Sequence, residues 1–97
     1  MASAEWTTPG VYAGPGGVLT DAAGTLTGEL TVHTTWEQER AHIAVQYAGA
    51  SEWYALAGSP VDCPSSEASR TLHQRAVEAV RTGGAVPFSP WPTTPVA

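Results

Sequence analysis

Two histidines carry the spacing closest to chemistry. His33 and His42 sit in adjacent runs of alternating apolar and polar residues, both on the polar side. In the first run Leu26, Gly28, Leu30, Val32, Thr34 and Trp36 alternate with Thr27, Glu29, Thr31, His33 and Thr35. In the second, Ala41, Ile43, Val45 and Tyr47 alternate with His42, Ala44 and Gln46. Period-two runs of this kind are half-buried antiparallel strands. Bringing the two apolar faces together requires paired residue numbers to sum to an odd value. A sum near 75 sets Leu30 against Val45, Val32 against Ile43, and His33 directly opposite His42, with Cβ atoms about 4.5–5.5 Å apart. Two imidazoles at that separation can share a zinc-type ion. Such a site needs three or four ligands and a supporting shell. Glu29, Arg40 and Gln46 share that side and supply no evident third ligand. The expectation is a solvated sheet face with no metal and no cofactor.

Cys63, the single cysteine, lies just ahead of a predicted helix, where the dipole favours a thiolate. A nucleophile would also need a base, and His73 falls about 15 Å along the helix axis from its start. Cys63 therefore reads as a small apolar residue, and His73 as a residue bordering the helix's apolar arc. Gly14-Pro15-Gly16-Gly17 resembles a phosphate loop in glycine content alone, with no Gly-Lys-Ser/Thr and no helix after it. No nucleophile elbow, zinc-cysteine spacing or paired-carboxylate helix is present, so no catalytic residue and no enzyme is expected.

The elements that position these residues read in order. Val18-Leu19-Thr20 is a short strand, closed by a turn with Asp21 first and Gly24 last. The two long strands follow, joined by a short loop around Glu37-Gln38. A third, over 52–57, is apolar on both sides; Tyr54 and Leu56 are assigned inward, and Trp53, Ala55 and Ala57 outward. Asp62 or Ser65 caps a helix over 66–82 that stops at Gly83-Gly84. Its apolar arc is Ala68, Leu72, Ala76, Ala79 and Val80. The fold class is α+β: a three- to four-stranded antiparallel β-meander followed by one C-terminal amphipathic helix packed on one sheet face. Residues 1–16 read as a flexible N-terminal arm, 17–84 as the single domain, and 85–97 as a Pro-rich extended tail with Pro-x-x-Pro matches at Pro87 to Pro90 and Pro92 to Pro95.

Ninety-seven residues give one domain with a marginal core. The formal charge of −5 comes from nine acidic residues against four Arg, with no Lys. Residues 1–60 carry all of it, with six acids against Arg40, while 61–97 are balanced. This disfavours nucleic acid and anionic membranes as partners. The first residues show no basic and apolar leader pattern, so the expected location is cytoplasmic. The absence of Lys and Asn beside abundant Ala, Gly and Pro points to a GC-rich bacterial genome.

The aromatic residues give the functional expectation. With Trp53 outward beside Ala44 and Ala55, the outer sheet face carries an apolar strip that needs a cover. A second copy, the Phe88/Trp91 tail, or another protein would supply one. The reading is a small non-enzymatic protein-interaction or regulatory module, with a homodimer through the outer face as one form. Its interaction residues are Trp53, Ala44, Ala55, His33, His42, Phe88 and Trp91. Single-stranded nucleic acid stacked on the sheet aromatics is the second reading, against the charge.

Overall fold

A computed structural model describes residues 2–91, so the match from Pro92 to Pro95 lies outside the described residues. The elements are β1 (Ser3–Tyr12), β2 (Val18–Thr20), β3 (Gly24–Leu26), β4 (Glu29–Glu37), β5 (Arg40–Tyr47), β6 (Tyr54–Ala55), β7 (Val61–Asp62) and α1 (Ser66–Thr82). The main sheet is antiparallel in the order β1-β4-β5-β6, with β7 pairing alongside β6 on the same edge of β5. The β2-β3 hairpin continues from β6 through the Thr20–Leu56 bridge and the bond from Ala57 N–H to Leu19 O (3.0 Å). Helix α1 packs across β1, β4 and β5 on one face. The chain is an α+β domain of the expected kind, with an antiparallel sheet and a single C-terminal helix.

The N-terminal segment is a correction. Residues 3–12 are not a flexible arm but a sheet strand, paired with β4 from Ser3↔Glu37 to Tyr12↔Glu29. Its alternation is hidden because the register shifts between Thr8 and Val11, at Pro9-Gly10. Ala4, Trp6 and Thr8 turn toward the helix before the shift, and Val11 does so after it, so the inward parity changes from even to odd. Proline is tolerated there because β1 is an edge strand.

The β4-β5 register keeps the required parity but sums to 77, with Leu30↔Tyr47, Val32↔Val45 and Glu37↔Arg40. The cause is a two-residue turn at Gln38-Glu39, both with left-handed φ (50° and 61°). That conformation matches the twist of the flanking strands, yet neither residue is the Gly or Asn that announces it.

Ser65 is the N-cap, its Oγ accepting from Ala68 N–H at 3.1 Å. The buried helix residues are Ser69, Leu72, His73, Ala76, Val77 and Val80, a face rotated from the expected arc. Ala68 and Ala79 are only half-buried. The rotation follows a polar seam. Trp6 Nε1 donates to Ser69 Oγ (2.9 Å), and the His73 ring lies between Thr8 Oγ1 and Thr34 Oγ1, each 2.8 Å away. Among the described residues no buried side-chain N or O lacks a partner, as a buried polar seam requires. Around it pack Val11, Leu30, Val32, Trp36, Ile43, Val45 and Leu56, fully or nearly buried. Tyr47, expected in the core, stays over a third exposed at the sheet margin.

The helix C-terminus is closed by the glycine loop. Gly14 N–H donates to Val80 O (2.9 Å), and Gly84 N–H to Pro15 O (2.8 Å). A Cβ on Gly14 would run into the backbone of Arg81 and Thr82. The glycines thus serve close backbone approach, which is how orphan helix carbonyls find donors here. Gly14→Ala is expected to destabilise the fold by about 2 kcal/mol or more. Urea unfolding measures this, and an unchanged midpoint would disprove the role of the contact.

Candidate interaction face

The sheet's outer face is built from alternate strand residues. Thr7, His33, Ala44 and Ala55 form one row across β1, β4, β5 and β6, and Glu5, Thr35 and His42 form part of the next but one. His33 faces Ala44, while His42 faces Thr35. The two histidines share a face but are not opposed, because the turn at Gln38-Glu39 shifts β5 by two residues. Among the described residues no cluster of three or more His, Cys, Asp or Glu could hold a metal ion.

His33 is held in place. Its Nδ1 lies 2.6 Å from Thr7 Oγ1, and its Nε2 lies 3.4 Å from Glu5 Oε1. The Trp53 ring packs on it with centroids 5.5 Å apart and planes inclined at 50°. Trp53 precedes β6, on the far side of β5 from His33, so its indole crosses β5 on the outer surface. Alanine at positions 44 and 55 leaves room for that crossing. Tyr54 pairs with Val45 and packs against the core, as its inward assignment requires.

Trp53 is 45% exposed. Three of the four indole N–H groups have protein acceptors: Trp6 on Ser69 Oγ, Trp36 on Cys63 O (2.9 Å) and Trp91 on Asp62 O (2.8 Å). Trp53 alone has none among the described residues. Buried indoles satisfy their N–H, and an indole with a wet, unpartnered end is characteristic of interfaces.

A second aromatic–carboxylate pair stands at the other end of β4. Tyr12, 66% exposed, donates its hydroxyl to Glu29 Oε1 at 3.1 Å. That hydrogen bond, together with the Glu29 charge, raises the Tyr12 pKa. Outer-facing strand acids are Glu5, Glu29, Glu37 and Asp62. The one outer-facing strand cation, Arg40, lies between Glu37 and Asp62 as their cross-strand neighbour.

Phe88 and Trp91 are not part of this face. The segment after α1 folds back on the helix side, where Phe88 is buried and its N–H donates to Ala57 O (2.7 Å). Arg75 bonds Pro90 O and lies 5.4 Å over the Trp91 ring. The described part of the tail, residues 85–91, therefore packs against the inner layer. The Phe88 and Trp91 rings are internal fasteners, since apolar area so close to the core is better buried than offered.

Cys63 is buried, and that burial pushes its thiol pKa up, opposite to what a nucleophile needs. His73, read from sequence as a boundary residue, is buried and structural. Its pKa is lowered, first by burial and then by the charge of His33. The signal available in the sequence was Thr34, a hydroxyl on an otherwise apolar strand face. Comparison with protein-family models, curated proteins and solved structures finds no match.

Because the His73 pKa is lower in the folded state, the unfolded chain binds more protons in mild acid. This contribution to stability is present above the ordinary histidine pKa of about 6.5 and is lost as pH falls toward the folded value. His73→Gln removes the titration and is expected to flatten the fall in stability between neutral and mildly acidic pH. Urea unfolding at the two pH values checks it, and an equal fall in both proteins would contradict it.

Proposed function

We propose that this protein is a non-enzymatic protein-interaction module that binds through the outer face of its sheet, with Trp53 at the centre. The observation that carries the reading is the state of Trp53: half-exposed, placed on His33 above small residues, and alone among the tryptophans in having no acceptor for its N–H among the described residues. The inner face is consumed by α1 and the returning tail, so the outer face is the surface left to offer. An aromatic anchor among small residues, rimmed by polar groups, is the composition of an interaction hot spot. Its strand residues carry one arginine against four acids, which favours a protein over single-stranded nucleic acid, whose backbone needs a cationic track. No helix among the described residues is long and apolar enough to cross a membrane.

Self-association, followed by sedimentation across a wide dilution series, and capture of partners by the immobilised protein test the reading together. Trp53→Arg and Ala44→Glu are expected to weaken the observed association by about tenfold or more while leaving the thermal melt unchanged. Association that persists undiminished in both variants would overturn it.

A further inference from the structure

The outer face holds two exposed aromatic rings: Tyr12 lies directly against Glu29, and Trp53 lies on His33, which in turn contacts Glu5. At one, the Trp53 indole packs at a tilt on His33, whose Nε2 is 3.4 Å from Glu5 Oε1; the Glu5 side chain is 72% exposed. At the other, Tyr12 lies against Glu29 across the β1-β4 ladder, with the Tyr12 hydroxyl on Glu29 Oε1 and Oε2 left over. The Tyr12 pair offers a π face with negative charge at its edge, and the Trp53 face has the Glu5 carboxylate one side chain away across His33; a ring with nearby negative charge is the environment that binds a guanidinium or ammonium group. Thr7 holds the His33 ring, which orders the first pair before any partner arrives. His33 and Glu29 are four residues apart on β4, roughly 13 Å along the strand; Trp53 approaches from the β5 side and Tyr12 stands on β1, so the two rings lie farther apart than that, on a diagonal across the face.

We propose that the outer face is a receptor for a basic polypeptide segment that places one cationic side chain on Trp53 beside Glu5 and a second on Tyr12 beside Glu29. The proposal rests on the interaction reading above and names the partner class. Charge complementarity selects this occupant. Glu5, Glu29, Glu37 and Asp62 face outward against Arg40 alone, and the chain has no lysine. A second copy would bring the same acidic face and repel it, and nucleic acid or an anionic bilayer would fare no better. A segment in extended conformation crossing the strands obliquely, with basic residues at i and i+4, presents both side chains on one side, and the length of two arginine side chains covers the rest of the diagonal.

The test uses the full chain and two synthetic pentapeptides with blocked ends, Arg-Gly-Ser-Gly-Arg and Glu-Gly-Ser-Gly-Glu, in amide and indole NMR titrations at low salt. The arginine peptide is expected to shift the Trp53 indole and the β1 and β4 amides, and the glutamate peptide to leave them in place. Trp53→Ala, Tyr12→Ala and Glu5→Gln are each expected to weaken arginine-peptide binding by about two- to fivefold. Added salt should weaken it further. All three positions are exposed, so an unchanged melt confirms that each variant folds. Equal shifts from both peptides, or arginine-peptide binding indifferent to Trp53→Ala and Tyr12→Ala, would overturn the proposal. If neither peptide binds while association sensitive to Trp53→Arg persists, the basic partner class is wrong and the interaction face stands. If that association is also indifferent to Trp53→Arg, both are wrong.

Discussion

The arrangement of this fold depends on one polar contact, the His73 imidazole seated between Thr8 of β1 and Thr34 of β4. A helix with a narrow, alanine-rich apolar arc could rest on a sheet at several rotations, because small side chains give little steric preference. Hydrogen bonds are directional, and a buried imidazole without partners costs far more than the net value of a satisfied bond. The contact at His73 and its neighbour from Trp6 to Ser69 therefore select one rotation of α1. They also fasten β1, an edge strand, to the helix as well as to β4.

With α1 set, its C-terminus lies against the Gly14 loop, and the chain beyond it returns across the same side. Phe88 closes against Ala57, and Trp91 against Asp62 and Arg75. Helix and tail thus meet the sheet's inner side. The outer face is what this one-sided packing leaves: threonine, histidine, glutamine and alanine form its strand surface, Glu5, Glu29, Glu37 and Asp62 charge it, and Trp53 and Tyr12 are its exposed aromatics. Trp53 partly covers the sheet itself by lying across β5 onto His33, which accounts for alanine at position 44. It leaves one indole edge in water.

Much of this architecture was legible in the sequence where signals were periodic. The alternation in β4 and β5 fixed which side chains face the core, and Ser65 and Gly83 marked the helix ends. In the third run, apolar on both sides, the assignment of Tyr54 and Leu56 inward and Trp53 outward agrees with the packing, whereas Ala57, assigned outward with Trp53, is buried. What escaped has physical reasons. Strand β1 was obscured because the irregularity at Pro9-Gly10 reverses its parity partway. The β4-β5 register slipped by two because Gln38 and Glu39 adopt left-handed conformations that their identities do not advertise. With it went the apposition of His33 and His42. The buried side of α1 was misjudged because Ser69 and His73 are polar, and their burial is decided by hydroxyl and indole groups more than sixty positions away in β1. Phe88 and Trp91, expected as one cover of the outer face, find their partners on the inner layer, which nothing in a proline-rich stretch announces.

Trp53 is the one tryptophan among the described residues that is more than a third exposed, and the proposed interface stands or falls with that openness. The most direct measurement is the broadening of the four indole N–H resonances by a soluble, neutral paramagnetic chelate, with the protein dilute. The account predicts strong broadening of Trp53, with Trp6 and Trp36 spared and Trp91 intermediate. A Trp53 indole as shielded as Trp6 and Trp36 under those conditions would contradict it.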